Sequence, residues 1–222
     1  MADDKARVFL DSNILAKPVT RSLLMFAADA SGYSVTWSAY AEREGDSHLR
    51  GSAESLGRVR AMAEMSLSAA GREPNRFQGT SLKDRQILAD AMAAHAHFLV
   101  TEDVDDFGSA DLTASGITAV NHDLFLSERT TRLGYARALR LLSERMTNPP
   151  RTPEQLHVAL GKSHPLTVAA HRLSFDAEPL PATDNPPAQT YRGCRCLRCL
   201  KADQSLTLGV CAECRANHQR LP

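Results

Sequence analysis

The chain has 222 residues, equal numbers of acidic and basic side chains and an apolar content of 43%, as expected of a globular protein with one sizeable core and a smaller appendage. It starts with the acidic segment Met1-Ala-Asp-Asp-Lys5, and no run of 18 apolar residues occurs. These features argue against a secretory signal peptide and against a transmembrane helix. We therefore expect a cytoplasmic protein that does not enter a membrane.

Charge is uneven along the chain, although it sums to zero. Six Lys and Arg residues follow Pro186, against only Asp203 and Glu213, so the tail is basic and the remainder is mildly acidic. A basic tail is compatible with nucleic-acid contact. Charge alone does not establish that contact, because four thiolates on one zinc ion would cancel half of the excess.

The first 120 residues predict alternating strands and helices. Strands are predicted at 7–11, 33–37, near 98–100 and at 117–120; helices at 15–30, at 39–70 (one or two, broken near Gly51 or Gly57) and at 83–95; and a loop at 71–80. This alternation is typical of the α/β class, with a central parallel sheet covered by helices on both faces.

Helices and a linker follow. Apolar residues from Tyr135 to Met146 predict an amphipathic helix, and Thr152-Pro-Glu-Gln155 is a capping box that opens another, closed by Gly161. Four prolines between 179 and 187 indicate an extended linker. We divide the chain into an α/β domain at 1–130, a helical region at 131–178, a proline-rich linker at 179–190 and a cysteine-rich unit at 191–222.

Acidic side chains follow two of the predicted strands. Asp11 ends the first, and Asp103 and Asp106 follow the strand through Val100. Because the carboxyl ends of parallel strands face one crevice, we expect these acids to meet there. Asp84 shares the inward stripe of its predicted helix, whereas Asp90, about 240° further round, should face away.

Such a cluster has a chemical consequence. Each pair of carboxylates held about 4 to 5 Å apart costs on the order of 1 to 4 kcal/mol. A hard divalent cation removes that cost, and Mg²⁺ or Mn²⁺ can also activate a water for attack on a phosphodiester. The simpler interpretations are that residues 11–13 cap a helix and that residues 102–106 form a solvated turn, but neither requires acids at all three places.

Several segments together resemble the PIN-domain nucleases, in particular the VapC-like toxins of bacterial toxin–antitoxin pairs. The resemblance covers about residues 7–128 and rests on Val-Phe-Leu-Asp-Ser-Asn-Ile-Leu at 8–15, Trp37-Ser38 followed by Glu44, Lys-Asp-Arg at 83–85, Leu-Val-Thr-Glu-Asp-Val-Asp-Asp-Phe at 99–107 and Asp-Leu-Phe-Leu at 123–126. It implies a three-layer PIN-like fold and a ribonuclease activity that depends on Mg²⁺ or Mn²⁺.

The resemblance also implies site residues. Its metal-binding acids fall on Asp11, Glu44, Asp84 and Asp106; Asp103, also expected to be catalytic, stands where relatives often have Asn and adds negative charge. Glu42 is the alternative to Glu44, since only the offset from Ser38 favours the latter. Asn13 and Thr101 either hydrogen-bond the acids or stabilise their turns.

The cysteines form a separate pattern. Cys196-x-x-Cys199 is followed after eleven residues by Cys211-x-x-Cys214, which is a zinc-ribbon spacing. Four thiolates suit tetrahedral Zn²⁺ at a closed structural site, and so short a segment depends on metal for folding. Cys194 and His218 are left over as substitute ligands, and a redox role is the alternative.

These patterns predict a metal-dependent endoribonuclease, the toxin of a toxin–antitoxin pair, with RNA as substrate, a small antitoxin as partner and a homodimer as a further possibility. The alternative is a catalytically inactive PIN-fold adaptor that recognises nucleic acid through its zinc ribbon.

Overall fold

The computed structural model describes most of the chain, namely residues 5–51, 53–175, 191–203, 206–207 and 209–217. The predicted linker at 179–190 and His218 lie outside the described residues.

A five-stranded sheet forms the centre of the molecule. Its strands are β1 (Ala6–Leu10), β2 (Tyr33–Thr36), β3 (Phe98–Val100), β4 (Thr118–Val120) and β5 (Tyr191–Arg192). Their spatial order is β2-β1-β3-β4-β5; the first four are parallel, and β5 runs antiparallel to β4. The predicted α/β class with a mostly parallel central sheet is therefore confirmed.

Helices fill the connections between strands and the region after β4. They are α1 (Ser12–Leu15), α2 (Pro18–Ala27), α3 (Ala39–Ser47), α4 (Leu56–Met62), α5 (Arg85–Ala93), α6 (Ser109–Ser115), α7 (His122–Arg129), α8 (Arg132–Arg145), α9 (Pro153–Leu160), α10 (Pro165–Ala170) and α11 (Ala212–Ala216). The predicted helix at 15–30 is split into α1 and α2, because Pro18 begins a new helix and has no N–H with which to continue the first.

The strand order sets where a site can form. From β1 the chain crosses to β2 on one side, and from β3 it crosses to β4 on the other, so the direction of winding reverses between β1 and β3. Right-handed crossovers then place the two sets of connecting helices on opposite faces. The carboxyl ends of β1 and β3 border the crevice where ligands of open α/β sheets bind.

Burial and capping explain why these elements form. All three residues of β3 and all three of β4 are buried, as expected of parallel strands covered on both faces. The predicted capping box is confirmed: Thr152 and Gln155 exchange hydrogen bonds at the start of α9. The Asp123 carboxylate of α7 accepts hydrogen bonds from the backbone N atoms of Leu166 and Thr167, both at 2.9 Å, and so joins α10 to α7.

The prediction that Asp90 faces away from the core is wrong. Asp90 is fully buried, and its Oδ1 accepts hydrogen bonds from the backbone N of Gly71 at 2.7 Å and from Gln86 Nε2 at 2.6 Å. A Cβ atom on Gly71 would lie 2.2 Å from the Ala89 carbonyl oxygen, so the loop before α5 folds directly onto the helix. Helical periodicity reports the face turned to the sheet and cannot reveal a loop that covers the opposite face.

The cysteine-rich tail packs against the edge of the sheet. Tyr191 pairs with Val120 and Arg192 with Ala119, which makes β5 the fifth strand. Leu197 is fully buried in the same apolar core as the strands. The tail therefore completes one edge of the sheet and shares the main core. Among the described helices, none has the length and apolar character needed to cross a membrane.

Candidate active site and metal centre

Asp11 lies at the carboxyl end of β1 and is only 2% exposed. Its Oδ1 caps α1 by accepting a hydrogen bond from the backbone N of Ser12 at 2.6 Å. Its Oδ2 accepts a hydrogen bond from the hydroxyl of Thr101, the residue after β3, at 2.7 Å. The ends of the two central strands are thus joined through this carboxylate.

Asn13 extends the network to the following turn. Its Nδ2 donates to Thr101 Oγ1 at 3.2 Å and to Asp103 Oδ2 at 3.1 Å, while its Oδ1 accepts from the backbone N of Glu102 at 3.3 Å. The backbone N of Asp103 donates to Thr101 Oγ1 at 3.1 Å. Asn13 and Thr101 therefore do both things considered from the sequence: they bind the acids and they shape the turn.

Asp84 immediately precedes α5, and Asp106 is the last residue of a 3₁₀ turn, Val104–Asp106. Ser81 joins them, because its hydroxyl donates to the Asp84 carboxylate and its backbone N donates to the Asp106 carbonyl oxygen at 2.7 Å. Sequence reasoning missed Ser81, although its position three residues before an acid is the spacing of a capping pair.

The two glutamates of α3 have different surroundings. Glu42 Oε2 accepts hydrogen bonds from Trp37 Nε1 at 2.8 Å and from Arg60 Nε at 2.9 Å, so its charge is already compensated. Glu44 is half-buried, and its charge raises the pKa of Asp84. Glu44 thus contributes, after burial and the charge of Asp106, to raising the pKa of Asp84, whereas Glu42 is paired with Arg60.

The acids repel one another in the absence of a cation. Burial, and to a smaller extent the charge of Asp84, raise the pKa of Asp11 to about 6 in spite of the hydrogen bonds from Thr101 and Ser12. Burial also raises the pKa of Asp84, and the charges of Asp106 and Glu44 act in the same direction. Asp84 is thus coupled electrostatically to Asp11, to Asp106 and to Glu44, and Asp103 is exposed. Among the described residues, these carboxylates do not converge as closely as the ligand atoms of a preformed metal site.

The cysteines form a tighter group than the acids. Among the residues that the structure describes, Cys196, Cys199, Cys211 and Cys214 are the one set of three or more metal-ligating side chains whose ligand atoms all lie within 4.8 Å of one another. The Cys199 and Cys211 sulfurs are 3.7 Å apart. A tetrahedral zinc ion with Zn–S bonds of about 2.3 Å would hold sulfurs about 3.8 Å apart.

The electrostatics of the four sulfurs also suit a metal. Burial raises the pKa of Cys196, but backbone N–H groups of Cys199, Cys211 and Arg198 outweigh it and lower that pKa to about 7. Burial and the neighbouring sulfurs raise the pKa of Cys214, since adjacent thiolates repel. A cation at the centre would relieve that repulsion, so these four cysteines could hold a metal such as zinc. Cys194 lies outside this group.

Comparisons with protein-family models, with curated proteins and with solved structures found no match. The resemblance to PIN-domain nucleases therefore rests on the residues and spacings of this chain alone.

Proposed function

We propose that this protein is a metal-dependent endoribonuclease with a PIN-like fold, and that it acts as the toxin of a toxin–antitoxin pair. The observation that carries the proposal is the position of Asp11. Its carboxylate is buried at the carboxyl end of β1, beside β3, where the winding of the chain across the sheet reverses, and it is coupled electrostatically to Asp84. Buried charges in a crevice that lack a cationic partner are expected where a cation binds.

The four coupled acids suit a hard divalent ion. Their oxygen donors match the preference of Mg²⁺ and Mn²⁺, and their mutual repulsion would fall on binding. When bound, the ion would supply Lewis-acid stabilisation of a scissile phosphate and a water of lowered pKa. Asp11, Glu44, Asp84 and Asp106 would hold it, while Thr101, Asn13 and Ser81 keep the acids oriented through the hydrogen bonds described above.

The chemistry of the substrate follows from this arrangement. A divalent ion held by four acids is suited to phosphodiester hydrolysis, and RNA is the substrate that we propose. A small antitoxin protein and a homodimer remain part of the proposal.

The adaptor alternative depends on positive charge in the tail, and three of the five cations in its described part are paired with carboxylates. Arg192 pairs with Asp105, Arg198 with Glu128 and Lys201 with Glu213, at 2.7, 2.6 and 3.0 Å. Arg195 donates to the Gly116 and Leu200 carbonyl oxygens, and Arg215 to that of Val210. These cations hold the tail together and onto the body, which favours the enzyme over the adaptor.

The proposal is tested with Asp84→Asn and an exposed control acid on α8, Glu144→Gln. Cleavage of an end-labelled RNA panel is measured with Mg²⁺ and with Mn²⁺. Asp84→Asn should abolish cleavage, because it removes a proposed metal ligand and the negative charge that acts on Asp11, whereas Glu144→Gln should cleave as the wild type does. A wild-type protein that binds RNA but never cuts it with either metal would favour the adaptor instead.

A further inference from the structure

In the described part of the tail, the Arg192 side chain contacts the turn that carries Asp106. The Arg192 guanidinium donates from Nη1 to the Phe107 carbonyl oxygen at 2.9 Å and to the Asp105 carbonyl oxygen at 3.2 Å. Its Nη2 contacts Asp105 Oδ1 at 2.7 Å. A planar guanidinium with several fixed donors is suited to gripping more than one acceptor at once.

These contacts lie on both sides of Asp106. The carbonyl oxygens that Arg192 binds belong to the residues immediately before and after it. The Asp106 carbonyl oxygen itself accepts from the backbone N of Ser81, whose hydroxyl donates to Asp84. The backbone that carries Asp106 is therefore held from the tail on one side and from the Asp84 turn on the other.

Arg192 in turn is fixed by the rest of the tail. Its strand pairs with β4, and Gly193, at φ +138°, approaches so closely that a Cβ atom there would lie 2.7 Å from the Thr118 Cα. The Tyr191 hydroxyl donates to the Leu206 carbonyl oxygen at 2.6 Å. The backbone N of Leu197 donates to the Gly209 carbonyl oxygen at 2.8 Å. Both contacts join β5 and its continuation to the loop between the two cysteine pairs.

The four cysteines lie in the same part of the tail, at the two ends of this loop. The backbone N of Cys211 donates to the Cys196 sulfur at 3.4 Å, and the four sulfurs converge within 4.8 Å. Since a small segment with few apolar residues depends on its metal for order, loss of the metal would loosen the loop that braces Tyr191 and Leu197.

We propose that Arg192 is a positioning residue for Asp106, and that zinc at the four cysteines regulates the acidic site by keeping Arg192 in place. This inference rests on the proposed function in one respect, namely that the acids bind Mg²⁺ or Mn²⁺. It predicts that zinc loss weakens Mn²⁺ binding at a site to which the cysteines contribute no ligand.

The first test compares Arg192→Gln with Lys201→Gln in the full-length, zinc-loaded protein. Lys201 is the matched control, since it is another tail cation paired with a carboxylate, but its exposed partner Glu213 lies within the tail. Free Mn²⁺ is measured by electron paramagnetic resonance during titration. Arg192→Gln should weaken Mn²⁺ binding about 10-fold or more, as outer-shell substitutions do, and Lys201→Gln should leave it unchanged.

Amide hydrogen exchange supplies a readout that does not depend on metal binding. The backbone N atoms of Asp106, Phe107 and Gly108 are hydrogen-bonded to Asp103 O, Val104 O and Thr80 Oγ1. Exchange at these three amides should accelerate in Arg192→Gln, whereas the Thr101 amide, which is bonded to Val120 O, should exchange as in the wild type. Asp105→Asn weakens the same contact from its exposed side and should give the same pattern if Arg192→Gln folds poorly.

The second test removes zinc with a thiol reagent and restores it after reduction. Zinc removal should reproduce both changes, and zinc addition should reverse them. Unchanged exchange at residues 106–108 in both variants and in the zinc-free protein would overturn the positioning role. Accelerated exchange at residues 106–108 in a protein that never binds Mn²⁺ would support the positioning role of Arg192 and refute the proposed function instead.

Discussion

Asp11→Asn should change the pH dependence of stability in a defined direction. The pKa of Asp11 is raised from 3.8 to about 6 by burial, so the folded state holds this proton more tightly than the unfolded state. The contribution of the Asp11 carboxyl to the free energy of unfolding is therefore fully present below its pKa in the unfolded chain. It is lost as the pH rises through its pKa in the folded protein. The full loss is about 3 kcal/mol, of which about 2 kcal/mol falls between pH 4.5 and pH 7.5.

The substitution has a cost of its own that does not depend on pH. Thr101 Oγ1 donates to Asp11 Oδ2 and already accepts from Asn13 Nδ2 and the backbone N of Asp103. An amide nitrogen at this place would leave the Thr101 hydroxyl without an acceptor, at roughly 1 to 3 kcal/mol. The stability of Asp11→Asn relative to wild type should thus rise by about 2 kcal/mol between pH 4.5 and pH 7.5, from equal or lower at the acidic end to equal or higher at the neutral end.

The measurement is urea unfolding of both proteins at several pH values without added divalent cation. Burial lowers the pKa of His164 to about 3 and of His171 to about 4, which destabilises the fold as pH falls below the usual histidine value. That contribution is common to both proteins and cancels in their difference. A stability difference that stays constant from pH 4.5 to pH 7.5 would refute the electrostatic argument. At pH 7.5, Mn²⁺ should stabilise the wild type and leave Asp11→Asn unaffected.

Two further predictions concern the buried acid of α5 and the tail. Asp90→Ala should lower the free energy of unfolding, measured by urea titration, by roughly 1 to 3 kcal/mol, because the backbone N of Gly71 loses its acceptor. RNA cleavage below the melting temperature should persist. Loss of cleavage in a folded variant would place Asp90 in the site. Elemental analysis of protein purified under reducing conditions should find about one zinc per chain, and Cys199→Ser with Cys214→Ser should abolish it. Zinc retained in that double variant would show that other ligands bind it.

The strand ends were predictable from the sequence because their signal is local. A short apolar run that stops at a polar residue marks both a buried strand and the place where that strand ends. Asp11 and Thr101 follow that rule, and the parallel sheet brings them within hydrogen-bonding distance. The four cysteines were predictable for a similar reason, since each Cys-x-x-Cys pair is a local pattern typical of segments that can hold a metal, and the structure brings the two pairs together.

Contacts between distant segments were not predictable in this way. The burial of Asp90 depends on where the loop at Gly71 lies, and periodicity within α5 carries no information about that loop. β5 has only two residues, too few for an alternating pattern. Arg192 therefore looked like one more cation in a basic tail.

The use of those tail cations changes what the charge asymmetry means. From the sequence, a basic tail beside an acidic body suggests attraction to RNA. In the structure, Arg198 forms a largely buried pair with Glu128, Arg195 binds the turn before β4, and Arg192 binds the turn that carries Asp106. Two ion pairs, Arg192–Asp105 and Arg198–Glu128, thus join the tail to the rest of the protein. Salt should therefore weaken this internal junction, and a salt-dependent loss of protection at the amides of residues 106–108 would report it.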